Sequence, residues 1–330
     1  MRARHAICAG LALAIVSTSQ AVAEEPCRAE PVVKSQTTLI ELADRWFGDP
    51  GFRWSILLAT NARSSDPKFG FIGNPNQLAP ATASQPNHVC IPMLAEAERL
   101  QRRYDTYIHA VTDMAVAEPS EVVTTLDPVP ASGPVQVATW VRTDQLSGLP
   151  SAAGASYTTT GDVWVTLSPK LQDFCQDFVA NHSDDPAALT LRLEQRLGLA
   201  PASSKTFFVT YELASPTDGI SLFRPCGDTE VTDTTCTLGP PASCPTGDST
   251  CAARSDFFYQ QYYGSYGSER PVEFPWTSLG YTFDWAPGPA GLGGQIGFVA
   301  QGESEYVIPA GTEVTYVGRA TTGDYCAPPG

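Results

Sequence analysis

Basic side chains are in short supply in this chain: 20 Lys and Arg stand against 35 Asp and Glu in 330 residues. So acidic a chain is repelled by phosphate backbones and anionic lipid heads, which argues against nucleic acid and direct membrane binding and leaves neutral sugars open as partners. Histidine is scarce as well. Past residue 23 only His88, His109 and His182 occur, far apart and outside any His-Glu-x-x-His arrangement. Neither a Cys-x-x-Cys pair nor interleaved Cys and His is present, so no metal and no other cofactor is expected. A Gly-x-Ser-x-Gly elbow is missing too. Ser65-Asp66-Pro67-Lys68 has Ser-x-x-Lys spacing but no companion motif, and it reads as coincidence. Beyond the first residues no apolar run is long enough to span a bilayer.

What is there begins with Arg2 and Arg4, an apolar stretch over residues 7–16 and the small-residue site Ala21-Val22-Ala23. This is the pattern of a secretory signal peptide over residues 1–23, cleaved near Ala23, and it predicts a periplasmic or secreted product. Cys27 lacks the Leu and small residues that precede a lipoprotein cysteine, so no lipid anchor is expected. Cys8 leaves with the leader. The remaining cysteines, Cys27, Cys90, Cys175, Cys226, Cys236, Cys244, Cys251 and Cys326, form an even set that reads as up to four disulfides in an oxidising compartment. With all eight able to pair, no nucleophilic thiol is expected.

Residues 33–92 carry the clearest pattern. A polar turn, Lys34-Ser35-Gln36-Thr37-Thr38, leads into Leu39-Ile40-Glu41-Leu42-Ala43-Asp44-Arg45-Trp46-Phe47-Gly48. A second apolar run ends at Asn61, followed by Asn74-Pro75-Asn76-Gln77-Leu78 and a short strand closing at Ile91-Pro92. The order strand, helix, helix, strand, with these loops, resembles the lysin motif (LysM), a βααβ module that binds N-acetylglucosamine-containing glycans such as peptidoglycan. The resemblance implies a shallow groove between the loops Gln36-Thr37-Thr38-Leu39 and Gly73-Asn74-Pro75-Asn76-Gln77-Leu78. Thr37, Thr38, Leu39, Asn74, Pro75, Asn76 and Leu78 are then the expected glycan contacts, with backbone amides and carbonyls holding the N-acetyl group over an apolar residue. Because the terminal strands of that fold lie side by side, it also implies a Cys27–Cys90 bridge and a module over residues 27–92. Two departures stand out. Gln36-Thr37 replaces the family's Gly-Asp, and the insertion 81–87 follows Pro80 where Pro-Gly-Gln is usual. There is no second copy, and single modules bind weakly because they gain nothing by avidity.

Residues 93–134 read as a helix and a linker. Leu94, Ala97, Leu100, Tyr104, Tyr107, Ile108, Val111 and Met114 recur at helical spacing over 93–117, and 119–134 is punctuated by proline. A larger domain follows over 135–326. Strands are expected at 135–141, 162–167, 207–213, 280–285, 304–309 and 313–318, where β-branched and aromatic residues alternate or run together. Helices are expected at 169–179, with Ser168 as N-cap and Pro169 as first helical residue, and at 185–197. The Cys-, Pro- and Thr-rich stretch 226–254 reads as loop. The fold class is therefore α+β: a small βααβ unit and a larger disulfide-bonded mixed domain. For the remaining six cysteines, fifteen pairings are open; the local pairs Cys226–Cys236 and Cys244–Cys251 are favoured, leaving Cys175–Cys326.

Chemistry in the larger domain has two candidate sources. Glu303 and Glu305, two apart on a strand, share a face, and Asp284 sits between Phe283 and Trp285. Glycoside hydrolysis needs two acids roughly 5 to 10 Å apart, and in so acidic a chain such coincidences arise by chance. The second is the aromatic run Phe257-Phe258-Tyr259, Tyr262-Tyr263, Tyr266, Phe274, Trp276, Tyr281, Phe283 and Trp285, which suits either sugar stacking or a core short of Leu and Ile. No catalytic residues are assigned. The sequence reads as a cell-envelope protein binding peptidoglycan or a related polymer through a divergent module, with a binding or scaffold domain attached and an envelope protein as a further partner. The rivals are a peptidoglycan-active hydrolase or transferase, and an export or surface-structure component with a vestigial module.

Overall fold

In the computed structural model, residues 25–216, 221–227, 229–241, 243–267, 274–287 and 300–329 are described. Seven strands, β1 (Val135–Val141), β2 (Ala155–Thr158), β3 (Val163–Leu167), β4 (Phe207–Leu213), β5 (Tyr281–Phe283), β6 (Gln301–Ile308) and β7 (Glu313–Thr321), form one antiparallel sheet in the order β2-β7-β4-β1-β3-β6-β5. Around it lie α1 (Leu39–Phe47), α2 (Arg53–Asn61), α3 (Leu94–Met114), α4 (Lys170–Asn181), α5 (Pro186–Arg196), α6 (Ser249–Tyr266) and α7 (Thr322–Tyr325). The chain is thus mixed α+β.

Alternation along the strands gives the sheet two apolar faces, and both are covered. Val135 and Val137, Val165, Val209 and Tyr211, Tyr306 and Ile308, and Val314 and Tyr316 build one core. Ala138, Trp140 and Phe208 point the other way, packing on Leu171 and Cys175 of α4, Leu189 and Leu193 of α5, and Tyr325. β6 consequently has no wet side: residues 302–308 are all buried. Local signals set the helix limits. Asp185 accepts from the Ala188 amide (2.7 Å) ahead of Pro186 to start α5. Thr38 caps α1, and Gly48, at φ +71°, ends it with its N–H on the Asp44 carbonyl.

The N-terminal residues pack α1 and α2 around a core of their own, containing Leu39, Leu42, Ile56, Leu58, Val89 and Ile91. Its chain ends meet at two bridges, Ala29 with Ile91 and Val32 with His88. The disulfides are Cys27–Cys90, Cys175–Cys326, Cys226–Cys236 and Cys244–Cys251, the pairs named from the sequence. No helix among the described residues is long and apolar enough to cross a membrane.

Three expectations need correction. Residues 119–134 are no free tether: Leu126 and Val129 are buried, and their amides donate to the Thr234 and Val231 carbonyls. The α4 helix begins at Lys170 with Pro169 at its N-cap position and no side-chain cap, so Ser168 does not start it. The end of the stretch read as loop, 249–254, together with the aromatics that follow it, forms α6, which Asp248 caps through the Cys251 amide (2.9 Å).

Candidate functional site

The N-terminal unit, α3, α6 and the sheet all line an open cavity of about 850 Å³. Its walls are aromatic. Trp54 of α2 stacks on Tyr104 of α3 at 4.3 Å between ring centroids, and both line it. Trp140 and Trp164, from β1 and β3, and Trp276 line it as well. Among the lining residues, the Arg142 guanidinium lies over the Phe71 ring, 5.0 Å from its centroid, so a cation just past β1 covers an aromatic of the N-terminal unit.

Three of the lining residues each hold a buried polar atom without a hydrogen-bond partner among the described residues: Thr166 Oγ1, Trp276 Nε1 and Glu305 Oε1. Thr166 and Glu305 are direct partners across the β3–β6 ladder, so their side chains leave the sheet on the same face. Gly280 sets the neighbouring backbone. The Glu305 amide donates to the Gly280 carbonyl (3.0 Å), and Gly280 has φ +77°. A Cβ there would stand 2.6 Å from Cys236 Sγ and 2.8 Å from Arg224 Cδ, so no larger residue fits. Burial pushes the Glu305 carboxyl up to about 8, against a weaker pull downward from Arg224. An unpaired buried polar group costs about 1–3 kcal/mol, so three on one cavity are a concentrated expense in stability.

Two more titratable groups sit nearby. Lys205 lines the cavity and donates to the Trp140 carbonyl (2.6 Å); burial, helped by Arg142, pushes it down to about 8. Glu194 is buried and rises to about 7, although the Ser203 amide (2.7 Å) and hydroxyl (3.0 Å) both donate to it.

The acids expected to share a face separate into two environments. Asp284 takes both guanidinium nitrogens of Arg192 (2.9 and 2.6 Å), while Arg196 binds Glu303 (2.6 Å) and lies 3.6 Å from Asp284. Arg192 and Arg196 also stack over Phe174. Glu303 and Asp284 are therefore joined through Arg196, whereas Glu305, a lining residue of the aromatic cavity, pairs with neither Arg192 nor Arg196. A smaller, polar cavity of about 360 Å³ lies beside Glu303, Arg196, Asp127 and Lys170, with Lys170 paired to Asp127 at 3.1 Å. Among the described residues no three His, Cys, Asp or Glu gather as a metal site would require.

None of the residues read as glycan contacts lines either cavity, although Gly73, which opens the second loop, lines the larger one. Thr37 Oγ1 accepts from the Lys34 amide (2.9 Å), Thr38 Oγ1 from the Glu41 amide (3.2 Å) and Asn74 Oδ1 from the Asn76 amide (2.9 Å). Leu39 and Pro75 are buried, Leu78 packs against the N-terminal core, and Asn76 is exposed. The aromatic run divides. Phe258, Trp276, Tyr281, Phe283 and Trp285 are buried, while Tyr259, Tyr262 and Tyr263 stand out on α6. Of the cavity's polar atoms, sequence reasoning marked Glu305 as an acid and Trp276 as an aromatic but passed over Thr166, for which strand alternation was the only signal.

No protein-family model, curated protein or solved structure matches the chain.

Proposed function

We propose that this is a cell-envelope binding protein whose N-terminal unit holds N-acetylglucosamine-containing glycan, such as peptidoglycan, while the sheet domain serves as a binding or scaffold part. One observation supports this reading above the others. Both loops that correspond to the lysin-motif groove are fixed by their own side chains, through Thr37, Thr38 and Asn74, and Asn76 stands exposed in the second of them. Loops already held in one shape lose less freedom on binding. Four disulfides fit an oxidising compartment such as the periplasm or the exterior.

The test is sedimentation of the full chain from residue 24 with purified peptidoglycan. Wild type should sediment, and Asn76→Trp, placing a bulky ring on an exposed loop position, should not, with both folded by circular dichroism. Equal sedimentation of the two would move any wall affinity out of these loops.

A second reading, an export or surface-structure component with a vestigial module, draws on the contacts between the N-terminal unit and the sheet domain around Ser64 and Ser204. Absence of wall binding by the folded wild type would favour it. A hydrolase or transferase gains less, because Asp284 and Glu303 are already engaged by arginines.

A further inference from the structure

We propose that the aromatic cavity is a binding site for an organic monoanion, a carboxylate carried on a flat apolar body, with Lys205 as its main anchor. The accessible part of the lining sets the body. Trp54, Phe71, Tyr104 and Trp164 all line the cavity and all keep surface open to solvent. They offer ring faces in a volume of about 850 Å³, within the range of about 300–1,000 Å³ usual for small-molecule sites.

The charged lining residues set the head. They are Arg142, Lys205 and Glu305, in a chain where acids outnumber bases 35 to 20. Glu305 is buried, whereas Arg142 and Lys205 both retain accessible surface. Their positions adjoin at the open end of the β1 and β4 pair: the Thr206 amide donates to the Val141 carbonyl (2.9 Å), and the Thr143 and Thr206 hydroxyls lie 3.1 Å apart.

Lys205 is the less committed of the two cations. Arg142 gives Nε and Nη2 to Asp144 (3.0 and 3.1 Å). Lys205 donates to the Trp140 carbonyl and, among the described residues, forms no ion pair with a carboxylate. An ammonium carries three donors, so two remain for a ligand. Burial, helped by Arg142, pushes Lys205 down to about 8, and a carboxylate beside it relieves that strain on the charged form.

Other heads do worse. A cationic ligand would meet two cations, and a dianion would ask for more positive charge than one lysine and an arginine already engaged by Asp144 provide. The chain's formal charge of -15 repels an anion from afar, but salt screens that field beyond about 8 Å, where the accessible charges of the lining are positive. The site is separate from the glycan reading, since the expected glycan contacts do not line it.

The experiment titrates 2-naphthoate and its uncharged isostere 2-naphthamide into the full chain from residue 24, by calorimetry. The carboxylate should bind about tenfold more tightly, because a hydrogen bond between two charges is roughly twice as strong as one to a neutral group. Lys205→Met should bring the ratio toward one with amide binding within about twofold, and Lys205→Arg should keep most of it. Asp144→Asn, an exposed change that frees the Arg142 guanidinium, should tighten the carboxylate about two- to fivefold and leave the amide alone. Near-ultraviolet circular dichroism checks folding. Equal affinity of wild type for the two probes, no binding of the carboxylate, or a ratio that survives in folded Lys205→Met overturns the proposal. Where Lys205→Met fails to fold, the wild-type ratio and Asp144→Asn decide.

Discussion

The hydroxyl oxygens of Ser64 and Ser204 lie 2.8 Å apart, and Ser204 also donates to the Asn61 carbonyl (2.9 Å), so the N-terminal unit is hydrogen-bonded to the segment leading into β4. Together with the shared aromatic cavity, this joins two parts that the sequence separates by a linker. The full chain should unfold in a single calorimetric transition, and limited proteolysis should not begin within residues 119–134. Ser64→Ala should cost about 0.5–1.5 kcal/mol and leave the transition single. Two well-separated transitions in wild type would contradict the docking.

Leu126, only 2 % exposed, tests the same point from the other side. Its neighbours are Leu279, Tyr281 and the Cys226–Cys236 pair. Leu126→Ala should destabilise by about 2–5 kcal/mol in urea, as for a core leucine. A residue on a free tether would change stability by no more than about 0.5 kcal/mol.

Stability should fall as pH rises from 5 to 8. Glu305 is raised to about 8 and Glu194 to about 7, in both cases chiefly by burial, so the folded chain keeps protons that the unfolded chain releases near its ordinary carboxyl pKa. Stabilisation from this source is complete below the unfolded value and is lost as pH climbs through the folded ones. The expected loss is on the order of a few kcal/mol for the two groups together. Thermal melts at pH 5, 6, 7 and 8 should show the fall, and Glu305→Gln should make it shallower. An unchanged or rising melting temperature across that range would show that neither carboxyl is held protonated.

Arg196 holds Glu303, whose side chain is 5 % exposed, and helps Arg192 hold Asp284. Arg196→Met should cost about 3–5 kcal/mol, because it strands a buried carboxylate. Adding Glu303→Gln should recover part of that loss, since the stranded charge is then gone. If the double variant is no more stable than Arg196→Met alone, Glu303 is not the group that suffers.

The sheet was legible because alternation is a local signal. Residues 207–213 read as a strand at the limits β4 occupies, and 135–141 likewise for β1. β2 was missed because it is four residues of Ala, Ser, Tyr and Thr, with only partial burial to mark it. α6 was missed because apolar and polar residues are mixed around it rather than sorted to two faces; of its eighteen residues only Phe258 and Ser265 are buried. Leu126 and Val129 sit in irregular chain where no period announces burial. The cavity defeats sequence reading for a different reason. Thr166, Trp276 and Glu305 are more than a hundred positions apart at their extremes, and only strand pairing and docking bring them to one space. The acids at 284 and 303 were found, but nothing in their spacing announced that Arg192 and Arg196 would reach them from α5.

Residues 119–134 pass from α3, whose Tyr107 and Met114 pack on Phe283 and Trp285, to the far core, where Val129 packs with Val135 and Tyr306. The polypeptide therefore straps the N-terminal unit to the sheet as it crosses from one covered face to the other. A truncated product starting at residue 135 would lose Trp54, Leu58, Phe71 and Tyr104 from the cavity wall and present Trp140, Trp164 and Leu171 to water. Such a product should be sticky and poorly soluble, so residue 135 is a bad place to begin a shortened chain.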